Sequence, residues 1–395
     1  MRVVITGIGA LTPIGVSFPE TWKALIEGRS GIRPCRKVNT KGLRWKMAGE
    51  VDETPLEGLL SVKQRRRMDP FVQYALYASI EAIRDSSLIP PENTPVIIGS
   101  SRGGITYSEQ ALLSEGPFSA YLMAATTYNM ASSQIAMHFG LKGISYGVSA
   151  ACASGAMAVL EACRLVKEGV AEAVIAGASE APITRLCLEG YGRMGALSSS
   201  TSLKASRPFD LKRDGFVLAE GACVMVIEEL KSALKRGAPI YAEILSYEAI
   251  TSTNSQTLPD EDDEYMVMKG ALESAGLSSE EIDYINAHAT STRIGDLIEA
   301  RAVNRLFGSR PLLTATKSHT GHMLGASSAL EIAIAAQSIK ESLIPPTINT
   351  TNLDPECKIS LVTEPVNRKI RYVLKNSFGF GGINISLVLS SPGSE

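Results

Sequence analysis

Short β-branched apolar runs alternate along the chain with longer stretches in which apolar residues recur every three or four positions. That alternation predicts an α/β protein with buried parallel or mixed sheets. The apolar runs predict strands at Val3 to Ile8, Pro95 to Gly99, Ile144 to Val148, Ala173 to Ala176 and Cys223 to Glu228. A second set follows at Tyr241 to Tyr247, Ile282 to Ala287, Leu312 to Thr316, Tyr372 to Asn376 and Asn384 to Leu389. Helical spacing predicts a helix over Pro70 to Ser86, where Phe71, Tyr74, Ala75, Ala78 and Ala82 share one stripe, and others over Ala153 to Glu168, Glu264 to Ala275, Gly295 to Leu306 and Gly325 to Lys340. Ala153 to Ala162 and Ala326 to Ala336 are so rich in Ala, Gly and Ser that they predict close helix–helix or helix–sheet approach.

No Pro-, Ser- or Gly-rich linker divides the 395 residues, so one molecule of two halves is expected, with the mildest boundary in KRGAP before Tyr241. The halves are 1–237 and 238–395. A loose echo supports them: Val148 to Leu160 and Thr316 to Ile332 each read as strand end, sharp turn and small-residue helix. DEDDE at 260–264 reads as a solvated loop or helix start.

Composition narrows the function. A hydrophobic fraction of 45% against 20% charged residues predicts a packed core, and a net charge of −2 removes the whole-molecule signature of a nucleic-acid binder. No apolar stretch approaches the roughly 18 residues of a membrane span, and MRVVITGIGALTPIG does not read as a signal peptide, so a soluble cytoplasmic protein is expected. The six cysteines form no CxxC pair and are expected reduced, most of them as small core residues. Gly7-Ile8-Gly9 lacks the third glycine of a dinucleotide turn, and His319 and His322 have no flanking acid or thiol at ligand spacing, so neither a nucleotide nor a metal is expected.

Three motifs carry chemistry. In GVSAACASG, Cys152 falls on a strand-to-helix turn, where a helix N-terminus favours thiolate over thiol. NAHATST and TKSHTGH put His288 and His322 at strand ends, where open α/β folds place their sites. NSFGFGG, 376–382, is a glycine loop whose N–H groups can face a ligand. Read singly, each could be a structural cysteine, a satisfied histidine or an ordinary turn.

Taken in order, VSAACASG, NAHATST, TKSHTGHMLGASSALE and NSFGFGGIN, with SRPFDLKRDGFVLAEGA, resemble the decarboxylating β-ketoacyl-acyl-carrier-protein synthases over essentially the full chain, synthase II of fatty-acid elongation above all. The resemblance implies a thiolase-like five-layered αβαβα fold of two pseudo-symmetric halves with mixed sheets, and a homodimer. It implies Cys152 as nucleophile, with the N–H groups of Cys152 and Phe380 as oxyanion hole and Gly379 and Phe380 as gate. His288 and His322 would stabilise the enolate left by decarboxylation, Lys317 paired with Glu331 would hold that network, and His319 would be an ordinary loop residue. Thr290 and Thr292 resemble the hydroxyls that bind the phosphopantetheine arm, while Arg102 and Tyr191 stand among the substrate-binding residues. Lys63, Arg65, Arg66 and Arg67 suit docking of an acidic acyl carrier protein, the partner that brings the phosphopantetheine; no resident cofactor is implied.

The departures concern the substrate. Arg102 stands where the family places an apolar acyl-pocket residue, the 105–128 loop is short, and 251–259 lacks the family's histidine-containing segment. An Arg102 aimed into the pocket favours a shorter or acidic acyl group, because an unpaired buried charge is costly; an outward or ion-paired Arg102 leaves selectivity unchanged. Ala289 for a frequent glycine is expected to be tolerated. The alternatives are a polyketide or specialised-metabolite ketosynthase and a non-catalytic chain-length-factor-like subunit. A thiolase is disfavoured because Cys357 lies outside any glycine-rich motif.

Overall fold

The computed structural model describes residues 1–393 and forms all ten predicted strands: β1 (Val3–Leu11), β2 (Val96–Gly99), β3 (Ser145–Val148), β4 (Ala173–Glu180), β5 (Gly221–Glu229), β6 (Ala242–Thr251), β7 (Tyr284–Asn286), β8 (Leu312–Thr314), β9 (Tyr372–Gly379) and β10 (Ile383–Ser390). The predicted helices are α1 (Pro70–Ser86), α2 (Ser154–Lys167), α3 (Glu261–Ala275), α4 (Arg293–Phe307) and α5 (Gly325–Glu341). DEDDE is a helix start, with Asp260 capping α3 by accepting from the N–H groups of Asp262 and Asp263, but its last residue, Glu264, is buried rather than solvated. The 105–128 segment, read as a loop, contains helices Ile105–Leu113 and Leu122–Thr126.

The two halves repeat one topology. The first runs β1-β5-β4-β2-β3 across its sheet and the second β6-β10-β9-β7-β8, the same order when each half is numbered from its own first strand. Directions match as well: in each half the first two pairings are antiparallel and the last two parallel. A three-residue ladder pairs Val3–Ile5 with Ala242–Ile244, and the short strand Ser360–Leu361 extends the β8 edge, giving one continuous eleven-stranded sheet.

Helices complete five layers. On one outside α1 covers β1 and β5, on the other α3 covers β6 and β10, and α2 with α5 fill the centre between the half-sheets. Gly7 and Gly9 serve the outer packing: a Cβ on them would meet the carbonyl oxygens of Ala82 and Ala78 of α1 at 2.2 and 2.0 Å. That is the reason for a glycine pair on the first strand. Among the described residues no helix is long and apolar enough to cross a membrane.

The central contact is tighter still. A Cβ at Gly155 of α2 would stand 2.6 Å from Gly325 O and 2.7 Å from Ala329 N of α5, so only glycine allows the observed spacing. Gly155→Ala gains about 1 kcal/mol of helix propensity but must push two backbones apart, at about 1–3 kcal/mol for overpacking. The expected result is a lower urea midpoint together with weaker condensing activity. A variant as stable and active as the wild type would show that the helices are not held this closely.

Candidate active site

Cys152 sits between β3 and α2, raised on a turn whose Ala151 adopts φ +48°, and the Ser154 hydroxyl closes that turn by accepting from Ala150 N at 2.9 Å and donating to Ala151 O at 2.6 Å. Its Sγ lies 3.0 Å from His322 Nε2. Burial pushes the Cys152 thiol up to about 12, against the lowering effects of Lys317, Arg102 and the Phe380 N–H. The expected resting thiolate is thereby corrected: the low-dielectric surroundings outweigh the helix N-terminus, and the resting group is a thiol beside an imidazole.

His322 precedes α5, with its backbone N–H donating to Val217 O at 2.8 Å and its carbonyl accepting from Ala219 N at 3.0 Å, so a loop of the N-terminal half sets its position. The ring meets Phe216 and His288 edge-on, at centroid distances of 5.1 and 5.6 Å. His322 Nδ1 lies 3.3 Å from Ser327 Oγ, which also accepts from Met323 N at 2.8 Å. A hydroxyl can donate to Nδ1 or accept from it, so Nε2 is free to take a proton from sulfur or to donate one to oxygen.

His288 follows β7 and is half-buried. Glu299 of α4 grips its backbone, accepting from His288 N at 2.8 Å and Ala289 N at 2.7 Å. Lys317 Nζ donates to His288 O at 2.5 Å and approaches Nδ1 at 3.4 Å; an ammonium has no acceptor, so the imidazole proton is left on Nε2. Burial first, and Lys317 next, hold both imidazoles well below the ordinary histidine value, so both are neutral at pH 7.

Lys317 pairs with Glu331 at 2.6 Å, and the other oxygen of Glu331 meets Lys375 Nζ at 2.9 Å. The sequence reading missed Lys375, Glu299 and Ser327. A lysine within the buried run YVLKNSF was a signal for the first, whereas nothing local marked Glu299 or Ser327.

Gly379 must be glycine, since a Cβ there would lie 2.8 Å from Ala150 O and 3.4 Å from Cys152 N. Phe380 is half-buried beside Gly381 and Gly382, both at positive φ. These residues open on a cavity of about 590 Å³ lined by Cys152, His288, His322, Phe378 and Phe380, with Thr290 and Thr292, their hydroxyl oxygens 3.0 Å apart, also on its wall. The walls are mainly apolar with a few converging polar groups, as suits a flexible amide-bearing chain ending in a thioester.

Other expected site residues lie elsewhere. Tyr191 packs with Cys152, Cys187 and Phe216 outside the lining of this cavity, and Arg102, whose Nε donates to Tyr191 Oη at 2.7 Å, lies over the Tyr191 ring. Arg102 is therefore partly exposed and partnered, not an unpaired charge in an apolar pocket. Lys63, Arg66 and Arg67 are exposed, but Arg65 turns inward to Glu53 at 3.0 Å and to Gln73 at 3.2 Å, which removes it from a free basic patch. His319 is no loop residue: it is fully buried, with its ring nitrogens 2.9 and 2.8 Å from the carbonyls of Arg29 and Pro346, a strut between distant segments.

Comparison with known proteins agrees with this architecture. Residues 1–233 match the model of the beta-ketoacyl synthase N-terminal domain and residues 241–351 that of the C-terminal domain. The chain is 40% identical over 404 residues to a 3-oxoacyl-[acyl-carrier-protein] synthase 2 of Staphylococcus aureus, with 98% of each chain covered. Among solved structures it resembles the ishigamide ketosynthase/chain length factor, with a TM-score of 0.93, 32% identity and 99% of each chain covered. It also resembles a type II PKS acyl-carrier protein complex with its ketosynthase, with a TM-score of 0.91, 29% identity and the same coverage. The chain belongs to the beta-ketoacyl synthase family and is an acyl-transferring condensing enzyme of the thiolase-like fold.

Proposed function

We propose that this protein condenses malonyl-acyl-carrier protein with a cysteine-bound acyl group, releasing carbon dioxide and forming 3-oxoacyl-acyl-carrier protein in fatty-acid elongation. The observation that carries this reading is one sulfur 3.0 Å from His322 Nε2, with His288 alongside, all three lining one cavity. In the first half-reaction the Cys152 proton passes to His322 Nε2 and Sγ attacks the acyl thioester carbon. The N–H groups of Cys152 and Phe380 face the resulting oxyanion, and the phosphopantetheine thiol leaves with the proton.

In the second half-reaction the malonyl Cα–carboxyl bond breaks and carbon dioxide departs. The electron pair moves through Cα to the thioester oxygen, which accepts hydrogen bonds from Nε2–H of His288 and of His322. Cα then attacks the acyl carbon on Cys152, and Sγ leaves with the bonding pair, to be reprotonated. Neutral imidazoles suit this step, His288 held as a donor by Lys317 and His322 able to turn from acceptor to donor as Ser327 Oγ exchanges roles with Nδ1, and the thioester carbonyl is the electron sink, so the chemistry calls for no resident cofactor.

The partner is an acyl carrier protein, which approaches through the exposed Lys63, Arg66 and Arg67. The working form is a homodimer in the cytoplasm; Leu112, Leu113, Phe118 and Met123, large apolar side chains left exposed on one stretch of chain, support a covered face there. A polyketide-type substrate is the second reading, supported by the structural likeness to a type II PKS ketosynthase.

Mass spectrometry after incubation with acyl-acyl-carrier protein should show one acyl adduct, lost in Cys152→Ala, and no adduct would sink the enzymatic reading. His322→Ala should slow acylation by about 10²-fold or more, as loss of a general base does, and His288→Ala should lower malonyl decarboxylation while sparing acylation. The triple variant Lys63→Glu, Arg66→Glu, Arg67→Glu should raise KM for the carrier protein roughly tenfold with kcat little changed. Arg102→Ile should leave the profile of a butyryl-to-palmitoyl primer panel unchanged, since the side chain is exposed and partnered outside the cavity; a shift toward longer primers would show that Arg102 shapes the acyl pocket.

A further inference from the structure

The reaction as derived leaves one buried cation without a task. Lys375 lies on β9, paired in register with Asn286 of β7, two residues before His288. Its side chain is fully buried. Nζ forms an ion pair with Glu331 Oε2 at 2.9 Å, charge to charge rather than along a hydrogen bond, and donates to Ser377 Oγ at 3.2 Å and to the carbonyl of Asn376. On its other oxygen Glu331 holds Lys317, and Lys317 in turn holds the carbonyl and Nδ1 of His288. Glu299, which grips the His288 backbone, also accepts from Asn376 Nδ2 at 3.1 Å, so the residue next to Lys375 is tied to the same histidine.

The charges of this cluster balance only when Lys375 is counted. Glu331 and Glu299 supply two carboxylates, Lys317 supplies one ammonium, and Lys375 supplies the second. Remove Lys375 and Glu331 keeps a single partner, on one oxygen. Its freed oxygen then competes for Lys317, whose contacts to His288 set the imidazole tautomer. Buried charges are retained at a cost and lose their arrangement when a partner is withdrawn.

We propose that Lys375 is a positioning residue for decarboxylation: by occupying the second oxygen of Glu331 it keeps Lys317 on His288, and so keeps His288 Nε2–H aimed at the thioester oxygen. The inference rests on the assignment of decarboxylation to His288 and His322. It concerns chiefly the second half-reaction: Cys152 and His322 make their side-chain hydrogen bonds to each other and to Ser327, not to Lys375, Glu331 or Lys317, although the Lys317 charge is felt by both. Burial brings the Lys375 ammonium down to about 8, with Lys317 opposing the charge and Glu331 and Glu299 favouring it. Decarboxylation should therefore fall as pH rises through that region and Lys375 loses its proton.

The test measures the two half-reactions separately: acylation of Cys152 by mass spectrometry, and carbon dioxide release from malonyl-acyl-carrier protein. In Lys375→Met, decarboxylation should drop roughly tenfold or more while acylation stays within about threefold, and the wild-type alkaline limb near pH 8 should vanish. Lys375→Ala should regain part of its decarboxylation in ethylammonium chloride and none in tetraethylammonium chloride, which is too bulky for the vacated space. Should both variants fold poorly, the wild-type pH profiles decide: an alkaline limb in decarboxylation but not in acylation supports the assignment. Equal loss in both half-reactions without ethylammonium rescue, or decarboxylation near the wild-type rate in Lys375→Met, would overturn it. A His288→Ala variant that decarboxylates normally would instead overturn the preceding assignment, whatever Lys375 does.

Discussion

Two small-residue helices meet at the centre of this molecule with no room for a methyl group between them, and the site exists because they do. Gly155 of α2 lies against Gly325 and Ala329 of α5. Cys152 stands just before the first helix and His322 just before the second, so helix spacing becomes sulfur-to-nitrogen spacing. The buried carboxyl of Glu180 ties the start of α5 to the segment after β2 by accepting from Gly325 N at 3.1 Å and from Ser101 N. Burial pushes that carboxyl up to about 7, and the backbone donors around it pull the other way.

A second constraint is dielectric. The same packing that brings the reactive groups together strips water from them, which holds the cysteine as a thiol and both histidines neutral. In so dry a place charge must be arranged in advance. Lys317, Glu331 and Lys375 form that arrangement behind His288, outside the cavity lining, while Glu299, which does line the cavity, grips the His288 backbone.

The pseudo-symmetry explains why the two halves contribute different chemistry from one topology. Each has a parallel strand end followed by a turn and a central helix. In the first half that turn bears the nucleophile, and in the second it bears an imidazole and the lysine that serves its neighbour.

The sequence by itself was enough for the ten main strands, the long helices and the motifs, because periodicity and turn chemistry are local: α1 runs from Pro70 to Ser86 as its spacing predicts. Cys152, His288 and His322 were legible because each sits in a glycine-, alanine- or serine-rich strand-end motif. The tertiary structure decided what burial decides. It made Cys152 a thiol where a helix N-terminus alone suggested a thiolate, turned Arg65 inward, placed His319 in the core and gave Arg102 a partner. Glu299 and Ser327 became visible only there, since their partners lie on other elements, and neither an ionisable group's charge nor its orientation can be read before its surroundings are assembled.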